Sequence, residues 1–409
     1  MQNLGGVAIP MQKSFDNLTF LVGDAAILSG MESVPALPMF SKEAVKFLAA
    51  LSKQLLSDKE TRSYVDVISY AYWIRKASLE TAKEKHHGYQ NRMGRGVSFH
   101  IAPSNVPVNF AVSMTSAILA GNACVIRLSN KQFRQVDLIC DAMNELLQDE
   151  FACLKNYFCF VRYEHSEEVT QMLSDMCDVR IVWGGNQTIE TIRRAKLPPR
   201  SIELAFADRH SIAIIDADYY LTQDAKEVAK GFYTDTYYTD QNACSSPRMV
   251  VWMGNEIKKA RERFWETLSE LVRDSYDMKP IQAVDKYTSM CMIGMSDIKA
   301  KKLSDDNYVN RVEVEKLSGE LMDYKNGGGY FFEYVAKQLD EIVPILTKQC
   351  QTVSVLGIEK KDVKEIVYRY GVRGVDRIVS LGQTMGLEFV WDGYKMIEAM
   401  SRVVYIGED

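Results

Sequence analysis

The chain has 409 residues, a formal net charge of −5, 47% hydrophobic residues and 25% charged residues. This length exceeds what one ordinary core supports, so we expect a soluble globular protein of two or three domains. The acidic balance gives no basic surface for nucleic acid, and eight scattered cysteines with five histidines lack the paired spacing of a zinc site. Because this cysteine usage is typical of a reducing compartment, we expect a cytoplasmic protein with no metal and no nucleic-acid partner.

Two segments bear on targeting and membranes. Residues Met1–Gly6 lack a basic region and an apolar run, so we expect no signal peptide. Residues 106–126 carry no charge and are long enough to span a bilayer, but Pro107 and Gly121 interrupt them. We interpret this run as a helix buried against a sheet, then a turn and an inner strand, because covered α/β layers need such sequences. We therefore expect no membrane span.

Strands and helices alternate from Val97 onward. Residues 40–90 are rich in Lys, Leu and Ala and are predicted to be helical. The predicted strands are 97–102, 123–128, 157–162 and 179–183, and the predicted helices are 106–119, 131–148 and 167–176. In 131–148 the apolar residues recur at steps of three and four, as in a helix with one buried face. This alternation predicts a mostly parallel, doubly wound sheet that binds its ligands at the carboxyl ends of the strands.

A second α/β segment is predicted from about residue 210 to 374. We expect long helices in it at 221–231 and 255–275. Its segment Lys325–Tyr330 (KNGGGY) is rich in glycine but lacks the GxxxxGK[ST] pattern of a phosphate-binding loop, so we interpret it as a turn.

A cysteine in a small, polar loop is the strongest chemical signal of this segment. The loop Asp240–Arg248 (DQNACSSPR) leads directly into the apolar strand Met249–Trp252. Small neighbours leave the sulfur of Cys244 accessible, and the loop N–H groups are suited to hold an oxyanion. That setting favours a thiolate nucleophile that forms a thioester. The alternative is a structural buried cysteine, which is common in proteins.

Several motifs accompany this loop in a fixed order. They are Gly94–Pro107 (GRGVSFHIAPSNVP), Ala120–Asn130 (AGNACVIRLSN), Trp183–Gly185, Ile202–Leu204 and the ending Leu381–Gly393 (LGQTMGLEFVWDG). Together they resemble the aldehyde dehydrogenase superfamily. The cysteine loop and the ending resemble more closely the LuxC-type acyl-CoA reductases, the reductase component of bacterial fatty-acid reductase systems. The resemblance runs from about Gly94 to the C-terminus.

The resemblance implies an aldehyde-dehydrogenase-like α/β fold. We expect a Rossmann-type parallel-sheet cofactor domain with a helical N-terminal region at 1–209. An α/β catalytic domain with the cysteine loop is expected at 210–374. The residues 375–409 are expected to return to the cofactor domain.

Three residues match catalytic positions of the resembled families. The resemblance makes Cys244 the nucleophile and Asn105 a side-chain donor to the oxyanion, unless Asn105 is only a turn residue between two prolines. Glu203 matches the superfamily's general base. Because a reductase must keep water from its acyl-enzyme, we expect Glu203 instead to accept the Cys244 proton or to protonate the hemiacetal oxygen. The alternative for Glu203 is a salt bridge at a strand end.

The implied cofactor-binding positions follow predicted strand ends. They are Ala102, Pro103, Ser104, Arg127, Ser129, Lys131, Gly184 and Gly185. Arg127 takes the place of a superfamily lysine that reaches the adenosine ribose, and Asn130 stands where NAD-preferring relatives often carry Glu. Basic residues without a carboxylate favour the 2′-phosphate of NADPH, although NADH remains possible and a solvated basic helix start is the alternative. The glycine pair would let a pyrophosphate approach a helix N-terminus.

The expected function is NADPH-dependent reduction of a long-chain acyl-CoA to a fatty aldehyde through a cysteine acyl-enzyme. One alternative is an aldehyde dehydrogenase that oxidises aldehydes to acids, which the retained Glu203 favours. Another is a non-catalytic subunit of a fatty-acid-modifying complex, against which the set of Cys244, Asn105 and Glu203 argues. The expected partners are an acyl-CoA substrate, acyl-transferase or acyl-protein synthetase subunits, and further copies of the chain in a homo-oligomer.

Overall fold

The computed structural model describes residue 15 and residues 17–86, 88–304 and 306–407. The predicted absence of a signal peptide concerns residues before these and lies outside the described residues. The described chain divides into two compact units. The first contains the residues through Ala207 and those from Lys395, and the second contains Asp208–Tyr394.

The first unit is an α/β unit built on a six-stranded sheet. Its strands before Ala207 are β1 (Thr19–Val22), β2 (Arg92–Gly94), β3 (Val97–Ile101), β4 (Ala123–Arg127), β5 (Phe158–Arg162), β6 (Val179–Trp183) and β7 (Ile202–Phe206). The helices are α1 (Ala25–Gly30), α2 (Lys42–Ser57), α3 (Val65–Trp73), α4 (Lys76–Lys85), α5 (Asn109–Ala120), α6 (Arg134–Gln148), α7 (Glu167–Asp175) and α8 (Asn186–Ile192). The sheet order is β1-β5-β4-β3-β6-β7, and β1 alone among these strands runs antiparallel to its neighbour.

The strand order reverses between β3 and β6. From β3 the chain proceeds to β4 and β5 on one side, and then returns to place β6 and β7 on the other side. In open parallel sheets such a switch point forms the crevice where ligands bind, beyond the carboxyl ends of the strands. The predicted doubly wound sheet is confirmed.

The uncharged run at 106–126 forms a buried helix and an inner strand, as predicted. Every residue of α5 from Phe110 through Ala120 is buried. Gly121 then ends the helix at φ +96°, where an added Cβ would lie 2.0 Å from the Leu37 carbonyl oxygen, so only glycine fits. Among the described residues, no helix is long and apolar enough to cross a membrane.

The second unit contains a seven-stranded sheet. Its strands are β8 (His210–Asp216), β9 (Pro247–Met253), β10 (Ala300–Lys302), β11 (Asn310–Val314), β12 (Tyr330–Val335), β13 (Cys350–Leu356) and β14 (Arg377–Ser380). Their order is β10-β11-β12-β9-β8-β13-β14, and all are parallel except β10. The helices are α9 (Ala217–Leu221), α10 (Ala225–Asp235), α11 (Ile257–Ser275), α12 (Pro280–Gly294) and α13 (Lys360–Arg369).

Both faces of this sheet are covered by apolar side chains. Along β8, Ile212 and Ile214 enter one core, whereas Ala213 and Ile215 enter the core on the opposite face. Successive residues of a strand point to opposite faces, so a continuous apolar run is what a sheet covered on both sides requires.

The helix predicted at 221–231 is wrong at both ends, since the structure places α10 at Ala225–Asp235. The structure has two helices there, because α9 ends at Leu221 and Asp224 caps the N-terminus of α10. The Asp224 side chain accepts hydrogen bonds from the N–H groups of Lys226 and Glu227, at 2.8 and 3.2 Å. The helix predicted at 255–275 corresponds to α11.

The return to the first unit begins later than predicted. The structure assigns Arg377–Ser380 to the second unit, where β14 pairs with β13, and the first unit resumes at Lys395 instead of residue 375. The last elements are β15 (Val390–Trp391), β16 (Tyr394–Lys395), α14 (Met396–Met400) and β17 (Ser401–Val403). Strand β17 pairs antiparallel with β2, so the end of the described chain completes the first unit.

Candidate functional site

A buried glutamine amide holds the cysteine loop in shape. Gln241 adopts a left-handed backbone conformation, with φ of 58°, and is fully buried. Its side-chain nitrogen donates to the carbonyls of Pro247 and Tyr330, at 2.9 and 3.0 Å. Its side-chain oxygen accepts from the N–H groups of Gly329 and Tyr330, at 3.0 and 3.1 Å. With two donors and two acceptors satisfied, this amide fixes the backbone ahead of the cysteine.

The backbone of Cys244 is bonded to the central strands of its sheet. Its carbonyl accepts a hydrogen bond of 2.7 Å from the Ser211 hydroxyl on β8. The same hydroxyl accepts a 3.1 Å hydrogen bond from the Thr352 N–H on β13. The cysteine is therefore held at a defined position while its side chain is only half-buried.

The surroundings of Cys244 favour the protonated thiol at rest. Burial raises the pKa of the Cys244 thiol, and the backbone N–H of Arg209 acts in the opposite direction by bonding to the sulfur. The Asp392 carboxylate adds to the rise, whereas the Arg248 guanidinium lowers the pKa. A thiolate at this position is thus stabilised first by the Arg209 N–H and then by the positive charge of Arg248.

Arg248 is a buried cation. It is 8% exposed, and one of its nitrogens donates to the Asn326 carbonyl. Burial lowers the pKa of its guanidinium to about 10, and a negative charge on Cys244 opposes this shift. Within the described part of the chain, no carboxylate lies at ion-pair distance from it. Arg248 is therefore placed to serve as the counter-ion of the thiolate.

A second charged group lies close to Cys244. Arg209 forms ion pairs with Asp376 and, at 3.3 Å, with Asp392, and it donates to the Cys350 carbonyl at 2.8 Å. Asp392 also accepts a 2.5 Å hydrogen bond from Gln351. Burial raises the pKa of the Asp392 carboxyl, and the Arg209 guanidinium opposes this rise.

No role was predicted for Arg209, Arg248 or Asp392 from the sequence. Two of them stand inside the motifs given above: Arg248 ends the cysteine loop, and Asp392 belongs to the ending Leu381–Gly393. The sequence signal that could have identified them was the presence of a charged residue inside the same motif as the predicted nucleophile or inside the ending motif.

In the first unit, the predicted cofactor residues meet at one edge of the sheet. Ala102 follows β3 and donates to the Arg127 carbonyl at the end of β4, at 3.0 Å. Gly184 and Gly185 follow β6, the neighbour of β3 across the switch point. The segments 102–104, 127–131 and 184–185 thus all lie at the carboxyl ends of adjacent parallel strands.

The polar and basic residues at these strand ends differ in the contacts that they make with other residues. The Arg127 guanidinium lies 4.7 Å from the centre of the Tyr163 ring, and its buried Nε has no hydrogen-bond partner among the described residues. Lys131 is exposed, and its N–H donates to the Ser129 hydroxyl at 3.2 Å. Asn130 donates to the Tyr163 carbonyl at 3.4 Å. An unsatisfied buried donor on Arg127 fits a polar ligand such as a dinucleotide ribose.

Glu203 is engaged by two arginines. One carboxylate oxygen accepts from Arg180 at 2.8 and 2.6 Å, and the other accepts from Arg193 at 2.6 Å. Arg180 is 3% exposed. Glu203 lies opposite Arg180 near the start of β7, about 10 Å along the strand from Phe206 at its carboxyl end. This geometry is the salt bridge that the sequence left open as the alternative, and proton transfer by Glu203 stays a prediction.

The predicted catalytic residues are divided between the two units. Asn105 is an exposed residue of the loop between β3 and α5. It belongs, like Glu203, to the first unit, whereas Cys244 belongs to the second. The role of Asn105 as an oxyanion donor therefore stays a prediction.

Solved structures show which fold this is. A lactaldehyde dehydrogenase superimposes with a TM-score of 0.64 at 14% identity, covering 94% of this chain and 90% of the other. Aldehyde dehydrogenase 21 from Physcomitrella patens gives a TM-score of 0.63 at 12% identity, covering 93% and 88%. The predicted aldehyde-dehydrogenase-like fold is confirmed.

Similar sequences indicate the family. The chain is 25% identical over 306 residues to the long-chain acyl-protein thioester reductase of Aliivibrio fischeri, covering 72% of this chain and 60% of that protein. For the protein of the same name from Photobacterium phosphoreum the identity is 26% over 303 residues, covering 72% and 59%. The alignments thus span about 60% of the length of these relatives. The family profile described as acyl-CoA reductase (LuxC) matches residues 28–403, and the chain therefore belongs to the LuxC family of acyl-CoA reductases.

Proposed function

We propose that this protein reduces long-chain acyl thioesters to fatty aldehydes through an acyl-enzyme at Cys244, with a nicotinamide cofactor. The observation that carries the proposal is the geometry of the cysteine loop, in which the half-buried Cys244 is held by hydrogen bonds of Gln241 and Ser211. The Arg248 cation, which pairs with no described carboxylate, lowers the pKa of the thiol. Family membership and the names of the relatives, long-chain acyl-protein thioester reductases, support the reaction class.

The first step is acyl transfer to the cysteine. The Cys244 sulfur bonds to the thioester carbonyl carbon, the bond to the leaving sulfur breaks, and that sulfur takes the proton that Cys244 loses. Arg248 stabilises the thiolate before attack. The loop N–H groups, with Asn105 as the predicted side-chain donor, would stabilise the oxyanion, and one such donor is typically worth about 3 kcal/mol.

The second step releases the aldehyde. When bound, the nicotinamide supplies a hydride to the acyl carbon. The oxygen takes a proton, and the resulting thiohemiacetal on Cys244 collapses to aldehyde and free thiol. In this chain the cofactor would be held by Arg127 and by the strand-end segments 102–104 and 184–185.

NADPH is the proposed cofactor form. Arg127 and Lys131 supply positive charge, and no carboxylate occurs from Arg127 through Lys131. Arg134 does not add to this charge, because Glu60 binds its guanidinium through two hydrogen bonds of 2.7 and 2.8 Å. NADH is therefore a weaker ligand in this proposal.

The state of Glu203 favours reduction over oxidation to an acid. An acid-forming enzyme needs a carboxylate that activates water, and both Glu203 oxygens are occupied by arginines. Release of acid from the acyl-enzyme in the absence of CoA, followed by stopped flow, would instead support the aldehyde dehydrogenase alternative.

Mass spectrometry of the intact protein tests the proposal. The protein is incubated with a panel of acyl-CoAs without reductant, and the adduct is mapped to a residue. We expect one acyl group on Cys244, and aldehyde once NADPH is added. An adduct elsewhere, or none, contradicts the mechanism and leaves the non-catalytic alternative. Light scattering of the same sample tests the predicted homo-oligomer.

A further inference from the structure

A polar cavity of about 420 Å³ lies in the second unit, next to the cysteine loop. Asn242 and Arg248 of that loop line it, together with Asp285 and Ser289 of α12 and with Lys325 and Asn326. Every residue that lines the cavity is polar or is glycine, so it is unsuited to an acyl chain.

The charges in this cavity favour an anion. Arg248 and Lys325 are cationic, and Asp285 is the one acidic residue of the lining. Neither cation forms an ion pair with any described carboxylate. In the resting enzyme, whose Cys244 thiol is protonated, the buried Arg248 guanidinium has no counter-charge, which is costly. A bound oxyanion would stabilise it, and Lys325 supplies a second positive charge.

The glycine-rich segment contributes its lysine and not its backbone. The N–H of Gly328 donates to the Asp240 carbonyl at 2.9 Å, and the N–H of Gly329 donates to the Gln241 side chain at 3.0 Å. The N–H of Gly327 bonds to the Asn326 side chain at 2.7 Å. Because these N–H groups already form hydrogen bonds within the loop, only side chains can bind a ligand in the cavity. These hydrogen bonds agree with the prediction that Lys325–Tyr330 forms a turn.

We infer that this cavity binds an oxyanion of the thioester substrate, either a phosphate on the leaving thiol or a carboxylate at the far end of the acyl group. The inference rests on the proposed function. Its basis is position: Asn242 lies two residues before Cys244, and Arg248, which lines the cavity, is close enough to the thiol for their charges to interact. An anion held there would fix one end of the substrate while its carbonyl is attacked.

Three thioesters with different charges test the inference. The first is an acyl-CoA, which carries phosphates on the leaving thiol. The second is the same acyl group on N-acetylcysteamine, which carries no anion. The third is an ω-carboxyacyl N-acetylcysteamine thioester. Single-turnover acylation of Cys244 is followed by mass for each.

The variants are Lys325→Glu and Asp285→Asn, because both side chains are exposed and their loss should not disturb folding. Lys361→Glu, at an exposed lysine of α13, is the matched control. We expect Lys325→Glu to slow acylation by an anionic thioester about five- to tenfold, and Asp285→Asn to speed it about twofold. Acylation by the neutral thioester and by the control should be unchanged, and the differences should diminish in high salt.

Each outcome decides the inference. An effect confined to acyl-CoA identifies the phosphate, and an effect confined to the ω-carboxyacyl thioester identifies the carboxylate. Equal effects on all three thioesters, or none, would overturn the anion site and leave the acyl-enzyme mechanism standing. If the wild-type protein acylates Cys244 with none of the three, the proposed function fails and the inference fails with it.

Discussion

The two units both contain parallel sheets, but they position their functional residues differently. In the first unit the predicted cofactor residues follow strand ends, and the strand order brings them to one edge. In the second unit the cysteine lies in a loop whose shape depends on the side chain of Gln241 and on buried charges. Topology is thus sufficient to bring the predicted cofactor residues together, whereas the predicted nucleophile is positioned by individual hydrogen bonds and charges.

The largest effect is expected at the nucleophile. Cys244→Ala should abolish both acylation and aldehyde formation, because alanine has no sulfur to form the thioester. The loop is held by Gln241 and Ser211, so the free energy of unfolding should change by less than about 1 kcal/mol. Intact mass and denaturant unfolding measure the two quantities. A comparable rate of acylation in the Ala variant would show that the loop is not the reactive element.

The next largest effect concerns Glu203 in the first unit. Glu203→Gln leaves the buried Arg180 without its negative partner, and we expect the unfolding free energy to fall by about 3 kcal/mol. Acylation of Cys244 per folded molecule should stay within about twofold of wild type. Urea unfolding and single-turnover acylation give the comparison. Loss of acylation in a folded Gln variant would assign Glu203 to thiolate formation instead.

A smaller effect is expected for cofactor choice. Wild type should bind NADPH about tenfold more tightly than NADH, since a charge-assisted contact contributes roughly 1.5–3 kcal/mol. Asn130→Glu would place a negative charge beside Arg127 and shift the preference toward NADH. Isothermal titration of both cofactors against both proteins measures this. If wild type binds NADPH and NADH equally, or if the variant keeps the wild-type preference, these basic side chains face solvent and do not contact the cofactor.

The smallest effect concerns the pH dependence of the cysteine. Because the pKa of Cys244 is raised, its alkylation should be slow at neutral pH and should accelerate as pH rises above the usual thiol range. Asp392→Asn removes a charge that disfavours the thiolate, so the profile should move to lower pH, with about two- to fivefold faster alkylation at pH 8. Peptide mapping against the exposed Cys153 and Cys291 provides an internal reference. A profile that moves to higher pH would reverse the assigned role of Asp392.

Sequence periodicity predicted most of the first sheet, because the spacing of apolar residues in each strand and helix there indicates which face is buried. The break between α9 and α10 was missed, although Asp224 followed by Glu227 is a typical start of a helix. The partner of Glu203 could not be predicted, since Arg180 meets it only through the pairing of β6 with β7. Cys244 was predicted to be the nucleophile from its own loop, whereas the charges of Arg248, Arg209 and Asp392 around it became apparent only in the folded unit.

The pairing of β17 with β2 makes the second unit an insertion within the first. The buried Asn122 side chain donates to the Met400 carbonyl at 3.0 Å, so the first unit lacks a hydrogen-bond acceptor until residues near 400 are in place. During synthesis the second unit, Asp208–Tyr394, is complete before the first, although the first begins earlier in the chain. The segment that carries the Cys244 loop is therefore fully synthesised while the first unit still lacks strand β17.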